Sequence, residues 1–151
     1  MYRYNVDIKY TQGEIRLMSS GYGVLVALRQ LARTMATPAK VGFFISVPQV
    51  LEIAEKLGVA AVPRNERQWF FEEVLKTAFD GDKLEEFLQE LLTMVERHVK
   101  EVEALTSTYP GMYKMLSWSL ERARDFRRRV EEVLAMYRKF QKLKEEHHKS
   151  R

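Results

Sequence analysis

Residues 112–140 read MYKMLSWSLERARDFRRRVEEVLAMYRKF, and this stretch decides the helical part of the fold. Apolar side chains recur in it at alternating steps of four and three residues, which is the heptad pattern of a helix that packs along one seam. Nine positions form this seam: Met112, Leu116, Ser119, Ala123, Phe126, Val130, Val133, Tyr137 and Phe140. The pattern predicts a long C-terminal helix with one face of coiled-coil type.

A second long helix is predicted immediately before this one. It begins near Asp82, which has Glu85 three residues later as in a capping box, and it ends before the turn sequence STYPG at residues 107–111. Its apolar seam has a histidine, His98, at one step, where a hydrogen-bonded packing role is the simplest interpretation. The seam consists of Leu84, Leu88, Leu91, Val95, Val102 and Leu105. The two helices are expected to form an antiparallel hairpin.

The hairpin has arms of unequal length. If it closes at the turn, residue 84 lies roughly opposite residue 133, and the second helix continues for about ten residues, or roughly 15 Å. Tyr137, Phe140 and Leu143 then have no partner in the first helix, so a sheet, another chain or water must meet them. Large apolar side chains are rarely left in water, and a homodimer is the simplest expectation. Its dimerisation residues would be Phe126, Val130, Val133, Tyr137 and Phe140.

The N-terminal part predicts strands. Tyr2 to Tyr10 alternates apolar and polar residues in steps of two, and Glu14 to Ser19 suits the second arm of a hairpin. The apolar run VGFFISV, Val41 to Val47, suggests a central strand, in which Phe43 and Phe44 would face opposite sides. Val59 to Val62 suits either a fourth strand or a buried connector. These segments predict an α+β fold with a small antiparallel sheet.

Shorter helices are predicted between these strands. One begins at Val24 and ends before Thr37, one runs from Pro48 to Leu57 with Gly58 as its stop, and one follows Asn65. The domain organisation that follows is an α+β domain at residues 1–80 and a helical hairpin at 81–151.

Composition excludes several classes of protein. The chain has no cysteine and no P-loop, G-x-G-x-x-G, G-x-S-x-G or H-E-x-x-H motif, and His147 and His148 lie in a charged tail. We therefore expect no enzymatic activity, no cofactor and no metal site. No window approaches 18 uncharged apolar residues and no signal peptide is evident, so a soluble, cytoplasmic protein without membrane contact is expected.

The net charge of +4 is unevenly distributed along the chain. Residues 1–40 carry +4, residues 41–121 carry −6 and residues 122–151 carry +6. The first basic block coincides with many of the 17 aromatic residues, and a basic surface with exposed aromatic rings is what single-stranded nucleic acids bind. The basic C-terminal block suits either the solvated outside of a coiled coil or a patch that tracks phosphates.

The candidate binding residues follow from this combination. Trp69 lies off the apolar stripe of its predicted helix and is either a surface anchor or a residue packed on the sheet. Bases would stack on Trp69 and on whichever of Tyr22, Phe44 and Phe70 proves exposed. Phosphates would meet Arg3, Lys9, Arg16, Arg29, Arg33, Arg64 and Arg67.

In layout the chain resembles the single-stranded DNA-binding protein family of Thermoproteales archaea, ThermoDBP and its related proteins. The resemblance is carried by YRYNVDIKY and EIRL as hairpin arms, VGFFISV as a later strand, RNERQWFF at a helix start, and the heptads of residues 112–140 as a leucine-zipper-like helix. It implies a thermophilic archaeal source and a homodimer joined by the C-terminal helix. It also implies sequence-independent binding of single-stranded DNA, or of RNA, in an aromatic cleft bordered by basic residues.

A second hypothesis assigns the chain to a larger intracellular assembly. A small helical subunit of a nucleoprotein complex, for instance of CRISPR type, would also expose an apolar seam for a different protein. A stable homodimer would favour the first hypothesis, and a monomer that needs a partner would favour the second.

Overall fold

A computed structural model describes the backbone of residues 12–149 and the side chains of residues 21–146. Six α-helices follow one another within this range: α1 (Gln12–Met35), α2 (Pro38–Val41), α3 (Val47–Leu57), α4 (Arg67–Asp80), α5 (Leu84–Thr108) and α6 (Tyr113–Lys149). A 3₁₀ turn at Pro110–Met112 joins α5 to α6. No strand occurs in residues 12–149, so the predicted α+β fold is wrong and the described chain is all-α. The predicted strand at Tyr2 to Tyr10 lies outside the described residues.

The predicted second hairpin arm, Glu14 to Ser19, is part of α1. Two inward positions, Ile15 and Leu17, are too short a pattern to separate a strand from a helix. Once the core fixes the later turns of α1, each further residue extends the helix for one hydrogen bond, because propagation is cheap after nucleation. Gly21 and Gly23 lie inside the helix, at a cost of about 1 kcal/mol each. A Cβ at Gly21 would lie 3.2 Å from Cε1 of Phe140, so this glycine lets α1 approach α6.

The predicted central strand, Val41 to Val47, is instead the last residue of α2, a partly buried loop at residues 42–46 and the first residue of α3. Gly42 bends the chain with φ of +90°, and a Cβ there would lie 2.4 Å from the Ser119 carbonyl oxygen in α6. Val41 and Ile45 are buried on either side of the bend. The apolar run therefore reflects burial of a loop. Two of the segments that carry the family resemblance, EIRL and VGFFISV, are thus helix and loop.

The other predicted helices are confirmed. α3 begins with a capping box in which Ser46 and Gln49 bind each other's backbone N–H groups, and it ends at Gly58 in the left-handed region. α4 starts two residues after the predicted cap, at Arg67. α5 begins at Leu84 with Lys83 as its N-cap and no side-chain cap, so the predicted capping box at Asp82 is wrong.

The hairpin of α5 and α6 is also confirmed. Ion pairs join Glu85 to Arg138 at one end and Glu103 to Arg124 toward the other, which fixes the two helices as antiparallel. α1 packs antiparallel to both α6 and α4. The buried apolar side chains of all six helices belong to one core cluster, and this cluster crosses the predicted domain boundary at residue 80.

Candidate nucleic-acid interface

The predicted phosphate contacts divide into three groups. Arg3 and Lys9 lie outside the described residues, and Arg16 lies in α1 with its backbone alone described. Arg29 and Arg64 each form an ion pair with α4: Arg29 Nε is 3.5 Å from Glu72, and Arg64 Nε is 2.8 Å from Glu73. The third group is Arg33 and Arg67, which form no ion pair in the described side chains: Arg33 is exposed, and Arg67 binds backbone carbonyls.

Arg67 joins three segments of the chain, because its guanidinium donates hydrogen bonds to backbone carbonyls and is not left free for a phosphate. Its Nη1 donates to the Ala36 carbonyl at 3.1 Å, and its Nη2 donates to the Ile45 carbonyl at 2.6 Å and to that of Met35 at 3.4 Å. Burial lowers the pKa of Arg67, and its Nε has no hydrogen-bond partner. The guanidinium carbon lies 4.3 Å from the ring centre of Phe44. Arg67 thus ties the start of α4 to the end of α1 and to the loop before α3.

The four predicted stacking residues also separate. Phe70 is fully buried in the core and cannot stack on a base, so its prediction as a binding residue is wrong. Trp69 is 60% exposed, Phe44 57% and Tyr22 71%. Phe44 stacks on Arg67, which gives it a fixed orientation. Tyr22 lies on α1, far along the helix from the other two.

Trp69 borders an open groove of about 410 Å³ at the start of α4. The groove is lined by Ala36, Asn65, Glu66, Arg67, Gln68 and Trp69. Glu66 is the N-cap residue of α4 and makes no side-chain hydrogen bond to the helix. Amide groups, the Glu66 carboxylate and Arg67 therefore line the groove beside an exposed indole ring.

Arg33 lies next to this groove. The Arg67 contact to Ala36 and the Arg29–Glu72 pair fix the register of α1 against α4. Arg33 lies one helical turn beyond Arg29 toward the end of α1, and Trp69 lies one turn before Glu72. The register thus places Arg33 and Trp69 opposite each other. Arg33 is exposed and has no carboxylate within 4.0 Å among the side chains of residues 21–146.

A second set of cations lies on the other side of α1, along α6. Arg129 lines a groove of about 130 Å³ between α1 and α6 together with Gln30, Thr34 and Met136. Arg122 follows the same face of α6 two turns earlier, next to Gly42, which α2 presents to α6. Neither arginine has a carboxylate within 4.0 Å in the side-chain range described.

Acidic side chains also lie on this face of α6: Glu132 lines the same groove as Arg129, and one arginine, Arg128, binds Asp125 at 3.2 Å and lies 4.0 Å from Glu132. The surface that α1, α2 and α6 share is basic on balance, because its cations Arg33, Lys40, Arg122, Arg128 and Arg129 outnumber the carboxylates of Glu121, Asp125 and Glu132. We call it the basic face and define it by Arg33, Lys40, Arg122 and Arg129. Of these, the sequence predicted Arg33 as a binding residue. The sequence did offer a signal for Arg122 and Arg129: both lie outside the heptad seam of α6, and so does Trp118.

The five predicted dimerisation residues are used inside the chain. Phe126, Val130, Val133 and Tyr137 are buried, and Phe140 is partly buried. The Phe79 ring of α4 lies 5.8 Å from Tyr137 and 5.5 Å from Phe140, while Gly21 of α1 touches Phe140. Tyr137 and Phe140 therefore have partners within the chain, in α1 and α4, and α5 reaches further along α6 than expected, because Glu85 pairs with Arg138. The homodimer stays a prediction.

His98 has the packing role expected of it. Its ring stacks on Phe43 at 4.4 Å, and its Nε2 is 2.9 Å from the Ser119 hydroxyl, which donates to the Gly42 carbonyl at 2.7 Å. A serine has one proton to donate, so Nε2 must carry a proton and donate to Ser119. Burial lowers the pKa of His98, and Glu101 opposes this shift. A histidine in this state cannot withdraw the serine proton, so the pair anchors the loop after α2 and is not arranged for nucleophilic chemistry.

In the described part of the chain, no three His, Asp or Glu side chains gather into a group that could hold a metal ion. None of the helices in residues 12–149 has the length and apolar character needed to cross a membrane.

Comparison of the chain with protein-family models, with curated proteins and with solved structures finds no match.

Proposed function

We propose that the protein binds single-stranded nucleic acid without sequence preference, with phosphates on the basic face and a base stacked on Trp69. The observation that carries the proposal is an exposed indole, Trp69, placed opposite Arg33, a cation that no described carboxylate neutralises. Base stacking on an aromatic ring is tolerant of sequence, and cations add a salt-dependent attraction to every phosphate.

Two features of the site support single strands over duplexes. The Trp69 ring borders the groove. Only an unpaired base can stack on such a ring, because the bases of a duplex are already stacked on one another. Phe44, held by Arg67, supplies a second ring near the start of α4.

The experiment is fluorescence anisotropy with labelled 20-nucleotide strands of mixed sequence, as DNA and as RNA, and with the matching duplexes, over a salt series from 50 to 300 mM. We expect binding to single strands that weakens with salt, and each lost phosphate contact reduces the log–log slope by about 0.7. Absence of binding to either single strand at 50 mM salt overturns the proposal.

A matched pair of variants tests the basic face. Arg129→Glu and Lys100→Glu change the net charge equally, but Lys100 lies exposed on α5, away from the basic face. We expect Arg129→Glu to weaken binding and reduce the salt slope, and Lys100→Glu to do neither. Equal losses would show that overall charge alone drives binding.

A second candidate function, a subunit of a larger assembly, is favoured by the end of the α5–α6 hairpin. Leu105, Tyr109, Tyr113 and Met115 are all exposed there, and such clusters mark protein contacts. The test compares affinity capture by the wild type and by a Tyr109→Ser, Tyr113→Ser double variant. A protein retained by the wild type and by Trp69→Ala but lost with the double variant would support this function.

A further inference from the structure

We propose a second stacking site at Trp118, so that one strand crosses the basic face from Trp69 to Trp118. The inference rests on the proposed function and adds the path and the length of the bound segment. Trp118 is 47% exposed. Neither tryptophan belongs to the core cluster or to the apolar residues packed against it. Both large rings are therefore at the surface without a packing role in the described core.

The position of Trp118 relative to the cations is fixed by the helix period. At about 100° per residue, Trp118, Arg122 and Arg129 fall within about 40° of one another around α6. Asp125 shares this face, but Arg128 binds it at 3.2 Å. Glu121 and Glu132 lie on this side of α6 as well, and Glu132 is 4.0 Å from the same Arg128. The tryptophan therefore stands at the end of a row in which the cations Lys114, Arg122, Arg128 and Arg129 outnumber the carboxylates by one.

A further cation lies in the same corner of the molecule. α2 packs against α6 where Gly42 meets Ser119 and Arg122, and Lys40 is exposed in the last turn of α2. An indole ring on the same helix face as Arg122, with Lys40 on the helix packed against that end of α6, has the composition of grooves that bind single strands, in which a base stacks and cations neutralise the flanking phosphates.

The separation of the two tryptophans sets the length of the strand. Trp118 precedes Arg129 by eleven residues, or roughly 16 Å along α6. Passing from α6 over α1 to α4 adds two interhelix distances of about 9 Å each. The resulting oblique distance of about 24 Å corresponds to about seven nucleotides at a rise of about 3.4 Å, and to fewer in an extended strand. A trinucleotide cannot reach from one ring to the other.

The test uses the fact that the chain has two tryptophans, each at one of the two sites. Trp69→Phe leaves Trp118 as the sole indole reporter, and Trp118→Phe leaves Trp69. The probe is oligo-dT of three and of ten nucleotides, titrated at 50 mM salt while tryptophan fluorescence is recorded. We expect the ten-nucleotide strand to quench Trp118 in the first variant and Trp69 in the second, in both cases saturably and reversibly with added salt.

Affinity supplies the second measurement. Removing the ring with Trp118→Ala should weaken binding of the ten-nucleotide strand about 5-fold to 150-fold, the range for loss of one stacked base. The same change should alter trinucleotide binding far less, because Trp69 still serves it. The matched control is Tyr113→Ala, an exposed aromatic residue on the opposite side of α6. It should leave both affinities unchanged.

The outcomes separate the inference from the function beneath it. Binding by anisotropy with quenching of Trp69 but none of Trp118 would overturn the second stacking site and leave the proposed function standing. Absence of any binding would overturn both. Equal losses in Trp118→Ala and Tyr113→Ala would also overturn the inference, because they would show an effect unrelated to the row of arginines.

Discussion

The two halves of α6 follow one heptad pattern but have different surroundings. From Phe126 to Phe140 the seam is covered by α1 and α5 and, at its end, by Phe79 of α4, and Phe126 is fully buried. From Tyr113 to Arg122 the helix meets α5 on one side and the short helix α2 on another, and Met115 and Trp118 remain exposed.

The difference comes from where α1 ends. α1 runs antiparallel to α6, with Gly21 against Phe140 and Thr34 beside Arg129. The chain leaves α1 at Met35, before it reaches the first turns of α6. A heptad pattern thus shows that a helix face will be covered, but the element that covers it, and how far, depends on the lengths of other helices.

The largest expected effect is in the covered half. Phe126→Ala should lower the free energy of unfolding by about 3–5 kcal/mol, because it leaves a cavity in a fully packed core. Urea denaturation followed by circular dichroism measures it, with Trp118→Ala in the open half as a control that should change stability by less than about 0.5 kcal/mol. A wild-type midpoint that rises with protein concentration would contradict an intrachain seam, since only a seam shared between copies depends on concentration.

The next largest loss of stability is expected at Arg67, and its neighbour Arg64 serves as the comparison. Arg67→Ala removes the donors of three backbone carbonyls and should cost about 2–3 kcal/mol. Arg64→Ala removes an exposed ion pair with Glu73 and should cost less than about 1 kcal/mol. Arg67→Lys keeps the charge but not the planar fork, so it should remain destabilised. Equal stability of the Arg67→Ala and Arg64→Ala proteins would show that the hydrogen bonds of Arg67 to the backbone are not needed.

The smallest expected effect is a pH dependence of the unfolding free energy caused by His98. This residue anchors the loop after α2 to the open half of α6. Its folded pKa lies below the ordinary value of 6.5, so the fold favours the neutral ring. Stability is therefore complete above pH 6.5 and decreases as the pH falls through 6.5 toward the lowered folded value. Urea midpoints between pH 5 and 8 measure this decrease.

The matched variants are His98→Gln, whose amide can still donate to Ser119, and His147→Gln in the C-terminal tail. His98→Gln should flatten the profile between pH 5 and 6.5, and His147→Gln should leave it unchanged. A profile that His98→Gln does not alter would assign the pH dependence to other groups.

The candidate site could be predicted in part. Trp69 was recognised because it lies off the apolar stripe of α4, and the structure exposes it. Phe70, its neighbour in sequence, lies on that stripe and is buried, which the same periodicity indicates. The sequence could not predict that Arg33 is free and Arg67 is engaged, because the carbonyls that Arg67 binds, such as that of Ile45, come from segments more than twenty residues away.

The sequence alone determined the hairpin of α5 and α6, the boundaries of α3 and the face of α6 that is buried. Those features depend on local signals, such as heptad spacing, a proline near a helix start and Gly58 at a helix end. The tertiary structure alone decided that residues 12–23 continue α1, that Val41 to Val47 forms the end of α2, a partly buried loop and the start of α3, and that α1 and α4 complete the seam of α6. These outcomes depend on contacts with distant parts of the chain, and a short apolar pattern carries no information about which part that will be.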